Sequence, residues 1–309
     1  MKVFYHDDLD GKCSASIIAQ YTKHQIPEDY IETDYNKPFD FSRVNPKERV
    51  YLLDLSLNEA NARLLKQCID EKAAEVIWID HHRTSLDLLQ LPEFEWLKSL
   101  EGIITDQIVE SSNRFILTSG AMLTYLYLFT SRNKPIRPLD IHSVPYYIRL
   151  VSDYDTWSFR FDPETTYFKI GMDMEDHSPL ASLWNEFSWS SVPKTKYQVE
   201  RIVEVGRISK NYLDTTNEAY LNSYSYESSI GGHKCLVVNR ASNSWIFGKL
   251  YGQYDLHMTW VFNGEVYQFT IYSTRSDINC AKIAQGYGGG GHVGVAGFKL
   301  DHMPFVKEK

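Results

Sequence analysis

Val3-Phe4-Tyr5-His6-Asp7-Asp8-Leu9-Asp10-Gly11 opens the chain. Three consecutive apolar residues at Val3–Tyr5 read as a short strand buried on both faces. A polar run of one histidine and three acids follows. Beyond it, Ala15, Ile17, Ile18 and Tyr21 fall at helical spacing. Strand, polar loop, helix is the first step of an α/β unit, and the rest of the first half repeats that step.

Val50–Leu55 is a second continuous apolar strand, and Asn58–Lys72 has helical periodicity through Ala60, Leu64, Leu65 and Cys68. Val76–Ile79 is a third strand, and it runs into Asp80-His81-His82. Ser119–Phe129 reads as a buried helix behind a Ser-Gly start. Val144–Asp153 is helical or extended and leads into Asp153-Tyr154-Asp155-Thr156-Trp157. The composition changes after residue 190. Lys196–Tyr220 gives one long amphipathic helix, followed by strand-like runs at Lys234–Val238, His257–Phe262 and Glu265–Tyr272. Asn263-Gly264 between two such runs signals a hairpin turn. A helix at Ile278–Ala284 and the Gly288–Gly291 run close the pattern. The expected fold is therefore α/β in two lobes, an N-terminal parallel-sheet domain and a smaller C-terminal α/β domain joined by a long helix. The expected boundaries are 1–190, 191–220 and 221–309.

The 309 residues are 43% hydrophobic and 23% charged, which suits a globular chain with a substantial core. A net charge of -8 is not the footprint of a protein that grips long nucleic acid by its backbone, so no long duplex is expected as a partner. Cys13, Cys68, Cys235 and Cys280 show neither CxxC pairing nor the spacing of a disulfide scaffold, which points to a reducing cytoplasm. The first ten residues carry no signal-peptide pattern, and the apolar run near Ala121–Phe129 is too short to span a bilayer. No membrane partner is expected, and a homodimer is compatible with the sequence.

Four segments put acids and histidines after strand-like or helical runs: His6/Asp8/Asp10, Asp54, Asp80/His81/His82 and Asp153. In open α/β sheets, ligands bind outside the carboxyl ends of the strands, so a parallel sheet brings at least the first three segments to one edge. Asp8, Asp10, Asp54 and Asp153 would then repel one another in a partly desolvated cleft, and two divalent cations would balance four carboxylates. Carboxylates with imidazoles suit Mn2+, Mg2+ or Fe2+, and a thiolate-free, acid-rich set is less typical of structural zinc; two divalent cations are expected, Mn2+ before Mg2+. Taken singly, each segment has a plainer reading. Asp8-Leu9-Asp10-Gly11 is also a turn composition, Asp54 a helix cap, and Asp153 a partner for Arg149 or Arg160. Only their conjunction is specific. In the second half, Arg275 near a strand end is a candidate phosphate fork, and Gly289, Gly290 and Gly291 are candidates for presenting amides to an anion. Gly289, Gly291 and Gly294 formally match a dinucleotide-binding pattern, but they follow no opening βαβ strand.

In this order, the motifs resemble the DHH phosphoesterases that carry the DHH-associated C-terminal domain. That family includes nanoRNases, RecJ-type exonucleases and phosphatases of bisphosphorylated nucleotides. The matching segments are His6-Asp7-Asp8-Leu9-Asp10-Gly11, Asp54, Asp80-His81-His82, Asp153 in Ser152–Trp157, Thr274-Arg275-Ser276, and Gly289-Gly290-Gly291-His292 with Ala296-Gly297. One departure is that His6 lies two residues before Asp8, whereas in the nanoRNases the spacing is four. The His-x-Asp-x-Asp-Gly spelling is closer to the RecJ-like and second nanoRNase branches. The resemblance implies that His6, Asp8 and Asp54 hold one metal. Asp10, Asp54, His81 and Asp153 would hold the other, with Asp54 bridging. Asp80 would orient a histidine, His82 would contact the scissile phosphate, and Arg275, His292 and the Gly289–Gly291 amides would hold a terminal phosphate or nucleotide. The reaction so implied is exolytic in-line hydrolysis of short RNA or linear dinucleotides. The alternatives are a phosphomonoesterase acting on adenosine 3',5'-bisphosphate or polyphosphate, and a single-strand exonuclease. Among the aromatics, Trp157 and Trp245 lie inside motif-like segments and are the two candidates for stacking on bases.

Overall fold

A computed structural model describes residues 1–34, 39–109, 114–129, 141–187 and 192–307, the side chains of 192–195 excepted. The chain divides into two compact units, Met1–Ser209 and Lys210–Lys309.

The first unit runs β1 (Lys2–His6), α1 (Leu9–Thr22), β2 (Tyr30–Thr33), β3 (Arg49–Leu53), α2 (Glu59–Lys72), β4 (Glu75–Asp80), α3 (Arg83–Leu88), β5 (Glu101–Ile104), β6 (Gln107–Val109), β7 (Phe115–Leu117), α4 (Gly120–Phe129), α5 (Tyr146–Asp155), α6 (Glu164–Met172) and α7 (Ser182–Glu186). Helix α8 (Val192–Tyr224) then passes into the second unit. Strands β1 to β5 form one sheet in the order β2-β1-β3-β4-β5, every pair parallel. Strands β6 and β7 pair separately.

The alternation along the strands explains the two-sided sheet. Val3, Tyr5, Tyr51, Leu53, Ile77 and Ile79 enter one core with α1, α4 and α5. Phe4, Val50, Leu52, Val76 and Trp78 enter the opposite core with Leu65 and Cys68 of α2. Burial on both faces is why these strands read as unbroken apolar runs. Strand order matters more for function. From β1 the chain goes outward to β2 and then returns to β3 on the other side of β1, so the topological switch point lies between β1 and β3. A crevice opens at such a point beyond the carboxyl ends of the strands.

The second unit holds β8 (Ser225–Ile230), β9 (His233–Asn239), β10 (Leu256–Phe262), β11 (Tyr267–Tyr272), α9 (Cys280–Gln285), β12 (Gly290–Gly291) and β13 (Val295–Leu300). Its sheet has the order β12-β13-β11-β10-β9-β8. The β9–β10 pair is parallel and the rest are antiparallel. The Asn263-Gly264 signal marks the β10–β11 hairpin, where Asn263 Oδ1 accepts from the amides of Glu265 and Val266. Cys235 and Val237 face the core under α9, while Leu236 and Val238 face the core that receives Leu221 of α8. No helix among the described residues is long and apolar enough to cross a membrane.

Candidate metal centre

Strands β1, β3 and β4 are adjacent and parallel, so their carboxyl ends carry His6, Asp54 and Asp80-His81-His82 to one edge. Asp54 follows directly on β3 and donates its amide to the carbonyl of Ile79 at 2.9 Å. Its φ of 56° is left-handed, a region that side chains enter at a cost and that clusters at functional sites. Asp8 caps α1 by accepting from the amide of Gly11 at 2.9 Å. A Cβ on Gly11 would lie 2.2 Å from the carbonyl oxygen of His6, so the tight return from strand to helix needs glycine.

Asp10, in the first turn of α1, is held from across the unit. Its carboxylate accepts from the amides of Gly120 at 2.6 Å and Ala121 at 3.0 Å, at the start of α4. An acid at a helix N-terminus is favourable. The approach is possible because residue 120 has no side chain. A Cβ there would stand 2.7 Å from Cβ of Asp54 and 2.9 Å from Oδ2 of Asp10.

The side chains converge closely. His6 Nδ1 lies 2.8 Å from Asp8 and 3.8 Å from Asp54. His81 Nε2 lies 3.2 Å from both Asp54 and Asp155, and 4.0 Å from Asp10. His82 Nδ1 is 2.7 Å from Asp80 and 3.8 Å from Asp54. Three sets of side chains each bring one donor atom per residue within 4.8 Å of one another: His6, Asp8 and Asp54; Asp10, His81 and Asp155; and Asp54, His81 and His82. Asp54 stands in two sets, and so does His81.

The electrostatics follow from packing acids together out of water. Asp54 and Asp80 are fully buried and Asp10 is 2% exposed. Burial, then the carboxylates of Asp10, Asp8, Asp155 and Asp80, push the acid of Asp54 well above its ordinary range. Burial, then Asp10, Asp8 and Asp80, does the same to Asp155. Asp10 is raised as well, chiefly by burial. Two acids behave oppositely. Burial also works against ionised Asp8, but the hydrogen bond and charge of His6 outweigh it and hold the group at about 2. Asp80 is buried yet lowered by His82 and the Ser85 hydroxyl, which donates to its second oxygen. His6 and His82 are raised against their burial by Asp8 and Asp80 respectively.

Of the residues singled out in the sequence, the structure gathers His6, Asp8, Asp10, Asp54, Asp80, His81 and His82 at this edge. It places Asp153 elsewhere. The carboxylate of Asp153 accepts from the amides of Arg160 at 2.9 Å and Phe161 at 3.1 Å and from the Thr165 hydroxyl at 2.5 Å. Asp155, two residues on, stands with Asp10 and His81 instead. Residues two apart on a helix point about 200° apart, so only one of the two can face the site. Gly120 and Ser85 were also missed. The Ser-Gly helix start was visible, but the contact it makes was not.

In the second unit, Arg275 is already engaged. It contacts Asp255 at 2.5 Å and forks onto Asp277 at 2.7 and 3.0 Å. The Gly289 amide donates to the carbonyl of Ala284 at 2.9 Å. Gly290 and Gly291 form an exposed two-residue strand against β13, and His292 is exposed beside it.

No family model matches the chain. The oligoribonuclease NrnB of Bacillus subtilis (strain 168) is 24% identical over 96% of this chain and 72% of its own length. The pGpG-specific phosphodiesterase PggH of Vibrio cholerae superposes with a TM-score of 0.53, at 14% identity, covering 97% of this chain and 93% of that one. At that identity the likeness is one of fold.

Proposed function

We propose that this chain, a DHH-family phosphoesterase by its motif order and by its likeness along nearly its whole length to an oligoribonuclease, hydrolyses short oligoribonucleotides, linear dinucleotides included, to mononucleotides. The reading includes two divalent cations at the carboxyl edge of the first sheet. The observation that carries it is the shared position of Asp54. This buried carboxylate stands both with His6 and Asp8 and beside His81, which itself stands with Asp10 and Asp155.

The residues fit such a metal pair. His81 Nε2 and Asp155 Oδ2 are buried and lack a hydrogen-bond partner among the described residues, although they lie 3.2 Å apart. Acids that drive one another toward protonation are stabilised as anions by a cation. The oxygen and imidazole donors suit Mn2+ or Mg2+. His6, Asp8 and Asp54 would hold one ion, and Asp10, Asp54, His81 and Asp155 the other. When bound, the ions would lower the pKa of water and offset charge on phosphoryl oxygens.

The remaining groups have their own tasks. Asp80 fixes His82 through Nδ1 and, against the ring's burial, raises the pKa of His82, which keeps the ring cationic to higher pH. The other ring nitrogen is then a donor for a phosphoryl oxygen as negative charge develops there. Ser85 holds Asp80 in turn. A net charge of -8 favours a small substrate held at a few points over a long strand. In the second unit, Arg275, His292 and the Gly290–Gly291 segment are the proposed phosphate contacts, the Gly289 amide being taken by Ala284, with Arg275 exchanging Asp255 and Asp277 for phosphate oxygens.

The test is hydrolysis of 5'-labelled RNA from dinucleotides to long oligomers, in Mn2+ with and without EDTA. The expected result is metal-dependent release of mononucleotides, fastest on the shortest chains. No cleavage at any length in Mn2+ overturns the reading and transfers it to bisphosphorylated nucleotides or polyphosphate.

A further inference from the structure

Helix α5 delivers Asp155 into the acid cluster and then ends in a turn held by more contacts than a chain reversal needs. Trp157 donates its amide to Tyr154 at 3.0 Å, and Ser158 donates to the carbonyl of Asp153 at 3.0 Å. The side chain of Asp153, 4% exposed, bonds the far end of the same turn at Arg160, Phe161 and Thr165. Two bulky residues inside the turn, Trp157 and Phe159, have left-handed φ values of 53° and 47°. Side chains of that size adopt such a backbone only when their surroundings over-determine it.

The result of this constraint is a tryptophan that is 70% exposed. It is supported from two sides. Phe159 meets it edge-on at 5.6 Å, and the ring of Tyr154 lies 6.4 Å away, within 28° of parallel. The backbone of Trp157 is also close to the acids, because two residues span at most about 7 Å of chain from Asp155. A strained and buttressed turn thus holds one large exposed aromatic side chain two residues from Asp155, and metal binding leaves that side chain unexplained.

Resting on the reading above, we propose that Trp157 is the stacking surface for a nucleobase of the substrate whose phosphate sits at the acid cluster. Every base has a π face, so stacking holds it without hydrogen-bond readout and tolerates any sequence. It also needs no cation, which suits an anionic substrate on an acidic protein. Asp153 then has a defined task. It is a positioning residue that locks the turn carrying the indole.

The experiment measures kcat and KM for the wild type, Trp157→Ala and Trp157→Phe on a 5'-phosphorylated RNA dinucleotide. Each enzyme is also tested on the two versions of that substrate lacking one base or the other. Trp157→Ala is expected to raise KM by about 5- to 100-fold, the range of one lost base–aromatic stack. It should leave kcat within about 2-fold, the pattern of lost ground-state binding. Phenylalanine should restore most of the affinity. On one of the two abasic substrates, wild type and Trp157→Ala should converge, because the stacked base is already missing. Equal KM values for wild type and Trp157→Ala on the intact dinucleotide overturn the inference. So does an alanine penalty that persists on both abasic substrates, which would make the ring a structural element or a docking point for another protein. If the wild type cleaves no dinucleotide at all, the functional reading falls and this inference falls with it.

Discussion

Two regions of the molecule carry the polar residues that the sequence marks out, and they differ in whether their charges are balanced. At the sheet edge of the first unit, Asp10, Asp54 and Asp155 are buried or half-buried, and burial, then neighbouring carboxylates, Asp8 among them in each case, raise all three acids. At the β11–α9 corner of the second unit, Arg275 is exposed and its guanidinium is shared between Asp255 and Asp277. An exposed guanidinium already engaged by two carboxylates asks for no further ligand and contributes little. A buried surplus of like charge is tolerated only with protons or cations to offset it. The first region therefore argues for a ligand from its own energetics, and the second does not.

The comparison is broken most directly at Asp54. Asp54→Asn should lower kcat/KM on a dinucleotide by at least ~10³-fold, since on the proposed reading several kcal/mol of transition-state stabilisation depend on the metals it would hold. The same change should raise the Tm of the metal-free protein at neutral pH, because it removes a buried charge among like charges. A fall in both would mean that the carboxylate is structurally required and the repulsion argument is wrong.

Asp153 and Asp155 separate next. Asp155→Asn should weaken Mn2+ binding by about 10- to 100-fold or more, as expected of a ligand position. Asp153→Ala should leave the Mn2+ affinity near wild type but lower stability by about 1–3 kcal/mol, because two amides of the turn lose their acceptor. The reverse pattern in a metal titration and a denaturant melt would restore Asp153 to the site.

A third effect concerns pH. An acid whose folded pKa is raised contributes stability below its unfolded value and loses it as pH climbs through the folded one. Asp54 and Asp155 are of this kind. Asp8, held at about 2, works the other way, losing its contribution only as pH falls toward that value. Above the ordinary carboxylate range, the raised acids thus cost the metal-free protein stability as pH rises. The Tm gain on adding Mn2+ should accordingly grow from mildly acidic to mildly alkaline pH, also because ligands must be deprotonated to bind. A gain that shrinks with pH would contradict this.

The smallest effect belongs to the second region. Arg275→Ala should raise KM for RNA less than about 10-fold with kcat unchanged, since the guanidinium must leave two carboxylates before it can bind phosphate. A loss of kcat comparable to that of Asp54→Asn would remove the contrast between the two regions.

Much of the centre could be read in advance because strand periodicity and strand order control it. The unbroken apolar runs at Val3–Tyr5, Val50–Leu55 and Val76–Ile79 required a sheet covered on both faces. The acids and histidines after them then had to share an edge once the strands proved parallel. Strands at Tyr30–Thr33 and Glu101–Ile104 escaped because short runs with an acid or a glycine inside lack a period. Ser225–Ile230, with its serines and glutamate, gave no strand signal. The choice between Asp153 and Asp155 was hidden for a different reason. Both are aspartates in one helical turn, and what separates them is a hydrogen-bonded turn formed by residues up to Thr165. Gly120 was likewise legible as a helix start but not as the gap that admits Asp10 and Asp54.

The most direct measurement is Mn2+ stoichiometry by calorimetric titration of the wild type and Asp54→Asn at neutral pH. The account predicts about two ions per wild-type chain, the number that a shared bridging carboxylate implies, and a loss of tight binding in the variant. Undetectable binding to the wild type, or stoichiometry and affinity untouched by Asp54→Asn, would contradict it.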